Sequence, residues 1–206
     1  MIVDPAAISP DAAYYWIAAT ILPRPIAWVS TLNEDGGANL APFSFFTGVG
    51  SAPPTCLICV SRKSRVEGEV GAKKDTWANI ERTGEYVIHV VPDALAPQMN
   101  ATSKEYAHGT DEFAVAGVTK TPSERVRPPR VAEAPVALEC RLRQVVEVGA
   151  PGAGTAVIIG EILLWHVRDD LVEGGRLEPG RLDAVGRMGG AVYTRTRDRF
   201  DMPRPK

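Results

Sequence analysis

The chain is short of several things that would assign it a task outright. Three cysteines in 206 residues are too few for a disulfide framework and fit a reducing compartment. Cys56 and Cys59 form a C-x-x-C, but within Thr55-Cys56-Leu57-Ile58-Cys59-Val60-Ser61 a strand's period of two sends the thiols to opposite faces, which argues against a redox or zinc pair. Cys140 alternates with Leu138 and Leu142 and reads as core. Histidine is equally scarce, and none of the three has the Cys or carboxylate spacing of a metal site. His89 and His166 read as strand histidines with satisfied partners; only His108, in a long loop, is placed to close over a substrate. No catalytic side chain and no metal are therefore expected. Charge of one sign is also missing: 23 basic and 25 acidic residues are interspersed, for a net charge of -2 and a pI near 6.0, so there is no field to hold nucleic acid or an anionic membrane. No apolar run approaches the roughly 18 to 20 residues of a bilayer span, and the first residues lack the basic start of a signal peptide. A soluble, cytoplasmic protein is the expectation. A Rossmann fingerprint is absent too, since Gly48-Val49-Gly50-Ser51-Ala52-Pro53 puts proline at the third glycine and no helix follows.

What is present is a pattern of short β-rich segments. The hydrophobic fraction of 45% suits one domain, residues 1–206, with a sizeable core; the barrel core is expected over about 22–170 and a polar tail over 180–206. Ser9-Pro10-Asp11 opens a helix to about residue 20, with Pro23 and Pro25 stopping it. Strands are predicted over 26–32 and 38–47, joined by the turn Asn33-Glu34-Asp35-Gly36-Gly37, and over 55–61. A helix over 75–82 ends at Gly84, a strand over 85–91 follows, and Pro92-Asp93 begins a second helix through about residue 100. Residues 102–135 read as a long loop with a short helix. Val136 to Val148 alternates as a half-exposed antiparallel strand, whereas 155–167 is apolar on both faces, as a strand between a barrel and a subunit interface would be. Six or more strands without regular β-α-β alternation favour a mainly β protein, a Greek-key barrel with a few peripheral helices, over a doubly wound sheet.

Two places misfit a plain barrel. The first hairpin carries hydroxyls, an amide and a proline where core strands carry valine and isoleucine. Pro42 cannot donate to a ladder, so it marks a bulge or a sheet edge and leaves backbone groups of Ala41 to Ser44 free. Asn39, Ala41, Phe43 and Phe45 share one face and Ser44 and Phe46 the other, which would present an aromatic wall beside a polar edge; the plainer alternative is a Phe-rich strand packing a core. The second place is Ser61-Arg62-Lys63-Ser64 followed by Lys73-Lys74-Asp75-Thr76 at a helix start. Unpaired N–H groups and the positive end of the helix dipole favour a dianion there, with Lys74 and Arg62 adding charge and Thr76 and Ser61 hydroxyls. Asp75 would repel that dianion and is expected to cap the helix or orient Lys74; simple capping with solvated lysines is the alternative.

From about Leu22 to Pro203 the chain resembles the flavin reductase-like family with an FMN-binding split barrel, the branch that includes flavoredoxin. The resemblance rests on an ordered set: Arg24-Pro25-Ile26, Val29-Ser30-Thr31, Asn39-x-Ala41-Pro42-Phe43-Ser44-x-Phe46, Lys74-Asp75-Thr76-x-x-Asn79-Ile80, Glu85-x-Val87, Gln98-Met99-Asn100 and Gly186-Arg187-x-Gly189-Gly190-x-x-Tyr193. It implies a homodimeric split barrel with FMN in a groove at the subunit interface. It places Ser30, Thr31, Ala41, Pro42, Phe43, Ser44, Phe45, Phe46, Ser61, Arg62, Lys63, Lys74, Asp75 and Thr76 toward the cofactor, with Asn39 beside them. Asn100, Arg187 and Tyr193 would reach the ring or a substrate pocket from either subunit. It also implies NAD(P)H as electron donor and a free flavin, a monooxygenase partner or another acceptor. The rival reading is a non-enzymatic FMN-binding electron carrier or flavin sensor.

Overall fold

Short runs of alternating burial carry the architecture in the computed structural model, which describes residues 1–64, 67–150 and 153–205; Lys206, the last residue of the expected tail, lies outside them. The first helix, α1 (Pro10–Thr20), begins as its sequence dictates: the Ser9 hydroxyl accepts the Ala12 N–H at 3.2 Å, with Pro10 in the first turn. Then come β1 (Ala27–Leu32), β2 (Ala38–Phe43), β3 (Phe46–Ser51), β4 (Pro54–Ser61), α2 (Asp75–Thr83), β5 (Glu85–Val90), α3 (Ala96–Ala101), α4 (Glu112–Ala116), β6 (Val136–Val148) and β7 (Thr155–Val167). These seven strands form one antiparallel sheet in the order β2-β1-β5-β6-β7-β4-β3. Its two edge strands, β2 and β3, are consecutive in the chain, so the sheet curls until Ser44 and Phe45 join one edge to the other. The protein is mainly β, a split barrel with few helices. Part of the polar tail forms β8 (Val185–Arg187) and β9 (Tyr193–Arg195), a small sheet with Arg24–Pro25. No helix among the described residues is long and apolar enough to cross a membrane.

The core fills from both sheet and helix. Val29, Ile58, Ile88, Cys140 and Ile158 are fully buried, and α2 adds Trp77 and Ile80 before Gly84 ends it in the left-handed region at φ 71°. Cys56 lies buried in this core while Cys59 is half-buried, as the alternation required. At the centre Gly160 faces Tyr86: a Cβ on Gly160 would come within 1.9 Å of the Tyr86 hydroxyl. Gly160→Ala is accordingly expected to destabilise the fold by at least about 1 kcal/mol, by overpacking, seen as a lower urea midpoint with an unchanged m-value.

Several expected elements come out differently. The second hairpin strand ends at Phe43 rather than 47, because the chain leaves the β2 edge there and Phe46–Ser51 pairs with β4. The register of β2 on β1 runs without interruption through Trp28 and Pro42, so Pro42 marks an edge and not a bulge. The predicted helix after Pro92 is a 3-10 turn, Asp93–Leu95, and then α3. The polar face of β6 is not uniformly wet. Glu139 is fully buried, because residues 122–128 fold over it and the Glu124 and Arg125 N–H groups donate to its carboxylate at 2.8 and 2.5 Å. Burial alone would raise this carboxyl, but those N–H donors and His166 at 2.6 Å hold it below the usual glutamate value. His89 is buried and doubly bonded: Nε2 accepts the Val131 N–H at 2.9 Å, which leaves Nδ1–H to donate to the Trp28 carbonyl at 2.8 Å. Burial pushes its pKa down to about 4, so it is a neutral clamp between barrel and loop.

Candidate functional site

The two misfitting segments meet. A cavity of about 60 Å³ is lined by Ala41 and Phe43 of the β2 edge together with Lys63, Lys74, Thr76 and Glu112. A second, of about 230 Å³, is lined by Ser44, Phe45, Cys59, Ser61, Lys74 and Tyr14 of α1. A third, of about 50 Å³, runs from Ser44 past Met99 to Arg187 and Tyr193. All three share Pro42 and Phe43, so one groove follows the free edge of β2, with Lys74 at one end and Arg187 at the other.

The edge owes its chemistry to pairing. In an antiparallel edge strand every second residue turns both N–H and C=O away from its partner. On β2 the outward residues include Leu40 and Pro42: the Leu40 N–H is taken by Glu112 Oε2 at 3.1 Å, and Pro42 has no N–H at all. The stretch facing the groove at Pro42 is therefore an acceptor. Opposite it, α2 starts without a side-chain cap at its N-cap residue, Lys74, so the first-turn N–H groups point out with the positive dipole end. The Lys74 ammonium stands beside them, 3.1 Å from Glu105 Oε1. Lys63 is only 6% exposed and pairs with Asp75 at 2.8 Å and with Glu69. Burial works to lower that ammonium, but the two carboxylates hold it above the usual lysine value. Asp75 thus orients Lys63, and through its other oxygen His108 at 3.2 Å, and neither caps α2 nor holds Lys74 as expected.

The hydroxyls and amide of the first hairpin play another part. Asn39 Nδ2 donates to Thr31 Oγ1 at 3.2 Å and to Thr76 Oγ1 at 3.0 Å, and Asn79 Nδ2 donates to Thr31 Oγ1 at 3.0 Å and to Asn33 Oδ1 at 2.8 Å. Thr31, Asn39, Thr76 and Asn79 are all buried. They form a polar stitch that sets the start of α2 against the barrel edge, with Asn39 and Thr76 also reaching the cavity wall. Ser30 donates instead to the Pro129 carbonyl at 2.5 Å, away from the groove. Arg62 turns aside as well: it stacks on Trp77 at 4.8 Å and pairs with Glu147. Phe46 starts β3 and lines none of these three cavities, while Asn100 lies beyond the Arg187 end. Among the groove residues, Tyr14 and Glu112 went unassigned in the sequence. Glu112 is 7% exposed, and burial, with Asp75 and Asp111 nearby, pushes its pKa up to about 7 against the Leu40 hydrogen bond.

An uncapped cationic helix start thus faces an acceptor edge across the groove. A family model described as flavin reductase like domain matches residues 19–193. The chain belongs to the flavin reductase-like family. An uncharacterised protein of Deinococcus radiodurans is 41% identical over 209 residues, covering 98% of this chain and 88% of its own. Nitrilotriacetate monooxygenase component B of Bacillus cereus superposes with a TM-score of 0.92 at 28% identity over 98% of both chains. The 2-nitrobenzoate 2-nitroreductase of Pseudomonas fluorescens does so at 0.88 and 28% identity, over 100% of this chain and 96% of its own. Flavin-related redox chemistry is the activity this flavin reductase-like membership supports.

Proposed function

We propose that the protein is a homodimeric, FMN-dependent flavin reductase or related oxidoreductase that draws its electrons from NAD(P)H. One observation carries this reading: the uncapped N-terminus of α2, with Lys74, and the acceptor edge of β2 line one groove. When bound, FMN supplies the two-electron chemistry, which no side chain here needs to provide. The chain's own groups bind and orient it. The first-turn N–H groups of α2, Lys74 and Ser61 suit the phosphate. The outward carbonyl of Pro42 and the backbone of Ser44, past the end of β2, suit the hydrogen-bonding edge of the ring, with Phe43 and Phe45 as apolar wall; the backbone groups of Ala41 and Phe43, expected to be free, pair with β1 instead.

Size supports the dimer. About 60 Å³ beside Lys74 holds a group of a few heavy atoms such as a phosphate, not a tricyclic ring. The ring would extend into the wider cavity beside Tyr14, whose helix exposes Tyr14, Tyr15, Trp16 and Ile17 to solvent. A second subunit covering that apolar helix would close the groove and remove the patch from water. Free flavin or a monooxygenase would be the electron acceptor, in line with the name of the Bacillus relative; the Pseudomonas relative's name adds a nitroaromatic as a third kind.

The test is anaerobic mixing of the FMN-loaded protein with NADH or NADPH. Loss of flavin absorbance near ~450 nm within seconds is expected. Absorbance unchanged by either nucleotide would contradict the reductase and leave the electron carrier, reduced by another protein.

A further inference from the structure

A larger cavity lies past the Arg187 end of the groove. It measures about 430 Å³ and opens to solvent between α3 and the β8–β9 hairpin, with Arg187, Arg195, Asp93, Asn100 and Tyr193 in its wall. That is within the ~300–1,000 Å³ typical of small-molecule sites. Asn100, Arg187 and Tyr193, which the resemblance places at the ring or at a substrate pocket, line it, and the placement of FMN between α2 and α1 does not fill it.

Its charges do not cancel. Asp93 Oδ2 takes Arg195 at 2.8 Å and Arg197 at 2.9 Å, and Arg197 also holds Asp183 at 2.7 Å, so the one carboxylate in the wall already pairs with two guanidinium groups. Arg187 has no carboxylate partner among the described residues. Its guanidinium lies over the Tyr193 ring at 4.6 Å and donates to the Tyr193 hydroxyl and the Gly190 carbonyl. Stacking and two neutral acceptors fix the plane of the fork while leaving its charge unmatched and further N–H donors free, which preorganises it for an oxyanion. Arg187 and Tyr193 also form the far wall of the small cavity that opens on Pro42 to Ser44. A ligand seated in the larger cavity thus abuts the edge assigned to the flavin ring.

We propose that this cavity seats the anionic part of the second redox substrate, with Arg187 as its oxyanion receptor. The assignment rests on the flavin reading, since proximity to the flavin edge is what makes the ligand a redox partner. The oxyanion is either a phosphate of a dinucleotide or the carboxylate of an acidic electron acceptor, and the same experiment distinguishes them.

The experiment begins with FMN binding by flavin fluorescence, which tests the flavin reading by itself. Calorimetric titration of the FMN-loaded protein with NAD⁺, NADP⁺ and benzoate then reads the second site without turnover. Binding of a dinucleotide or of benzoate is expected, which names the source, and Arg187→Ala should weaken it at least tenfold while the FMN dissociation constant moves less than threefold. Arg187→Gln keeps a polar side chain with one amide donor group but removes the charge and the two-nitrogen fork; it should show the same loss, and it stands in if the alanine variant unfolds. Three results would overturn the proposal: no binding of any of the three probes by a protein that holds FMN, unchanged affinity in the glutamine variant, or a parallel loss of FMN affinity, which would return Arg187 to the flavin site.

Discussion

Lys74→Ala is expected to weaken FMN binding ten- to a hundredfold. The side chain is shared by both cavities at the head of α2 and stands beside N–H groups with no side-chain cap, so its ammonium would make a charge-assisted bond to a phosphate, a contact worth about 1.5–3 kcal/mol. That range converts to roughly ten- to over a hundredfold in affinity. The upper end is not expected, because the ammonium must first give up Glu105, 3.1 Å away. Lys73→Ala is the control. Its ammonium pairs with Glu81, lies over Trp77 at 4.9 Å and lines none of the groove's three cavities, so removing it should leave FMN affinity within about threefold of the wild type. Thr76→Ala is a poor second probe, since it would also leave the Asn39 amide without the Thr76 hydroxyl. Equal FMN affinities for the wild type and Lys74→Ala would move the phosphate elsewhere.

The largest stability effect is expected at Glu112. Its pKa is raised from 4.5 to about 7 in the fold, so the folded state prefers the protonated carboxyl. Its contribution is fully present below about pH 4.5, where folded and unfolded chains are both protonated, and is lost as pH rises through 7, where folding buries a charge. The difference between the two pKa values amounts to about 3 kcal/mol of lost stability above pH 8. Glutamine cannot ionise, yet its carbonyl can still accept the Leu40 N–H. Glu112→Gln should match the wild type within about 1 kcal/mol at pH 5 and exceed it by up to about 3 kcal/mol at pH 8.5, in urea unfolding followed at both pH values. A difference that stays constant with pH would show that the carboxylate is solvated and that the β2 edge is not closed by it.

Much of the barrel was legible because its strands are regular. Val136 to Val148 was legible from its alternation and Thr155 to Val167 from a run apolar on both faces, and both bounds match the strands; Ser9-Pro10 announced α1 by capping chemistry. What the sequence concealed were contacts made across long separations. The hydroxyls of Ser30 and Thr31 stood out as polar groups in a core strand, and that misfit was real. Their partners, however, are the Pro129 carbonyl and the Asn39 and Asn79 amides, which no local pattern announces. The same holds for Arg62, whose partner Glu147 lies 85 positions away. Glu112 was hidden for a different reason. Asp111 caps α4, and Glu112 follows in its first turn, where an acidic residue reads as a solvated helix start. Only the free edge of β2, folded against it, makes its carboxylate buried. The small sheet formed by Arg24–Pro25, β8 and β9 joins chain segments about 160 residues apart, and its strands are too short to show a period.

The relative affinity of FMN and riboflavin tests the central claim most directly, because the two differ only in the phosphate that the head of α2 is held to bind. Titrated into the purified protein and followed by flavin fluorescence at fixed salt, FMN should bind at least tenfold more tightly than riboflavin, and that gap should shrink in Lys74→Ala. Equal dissociation constants for the two flavins would contradict the account.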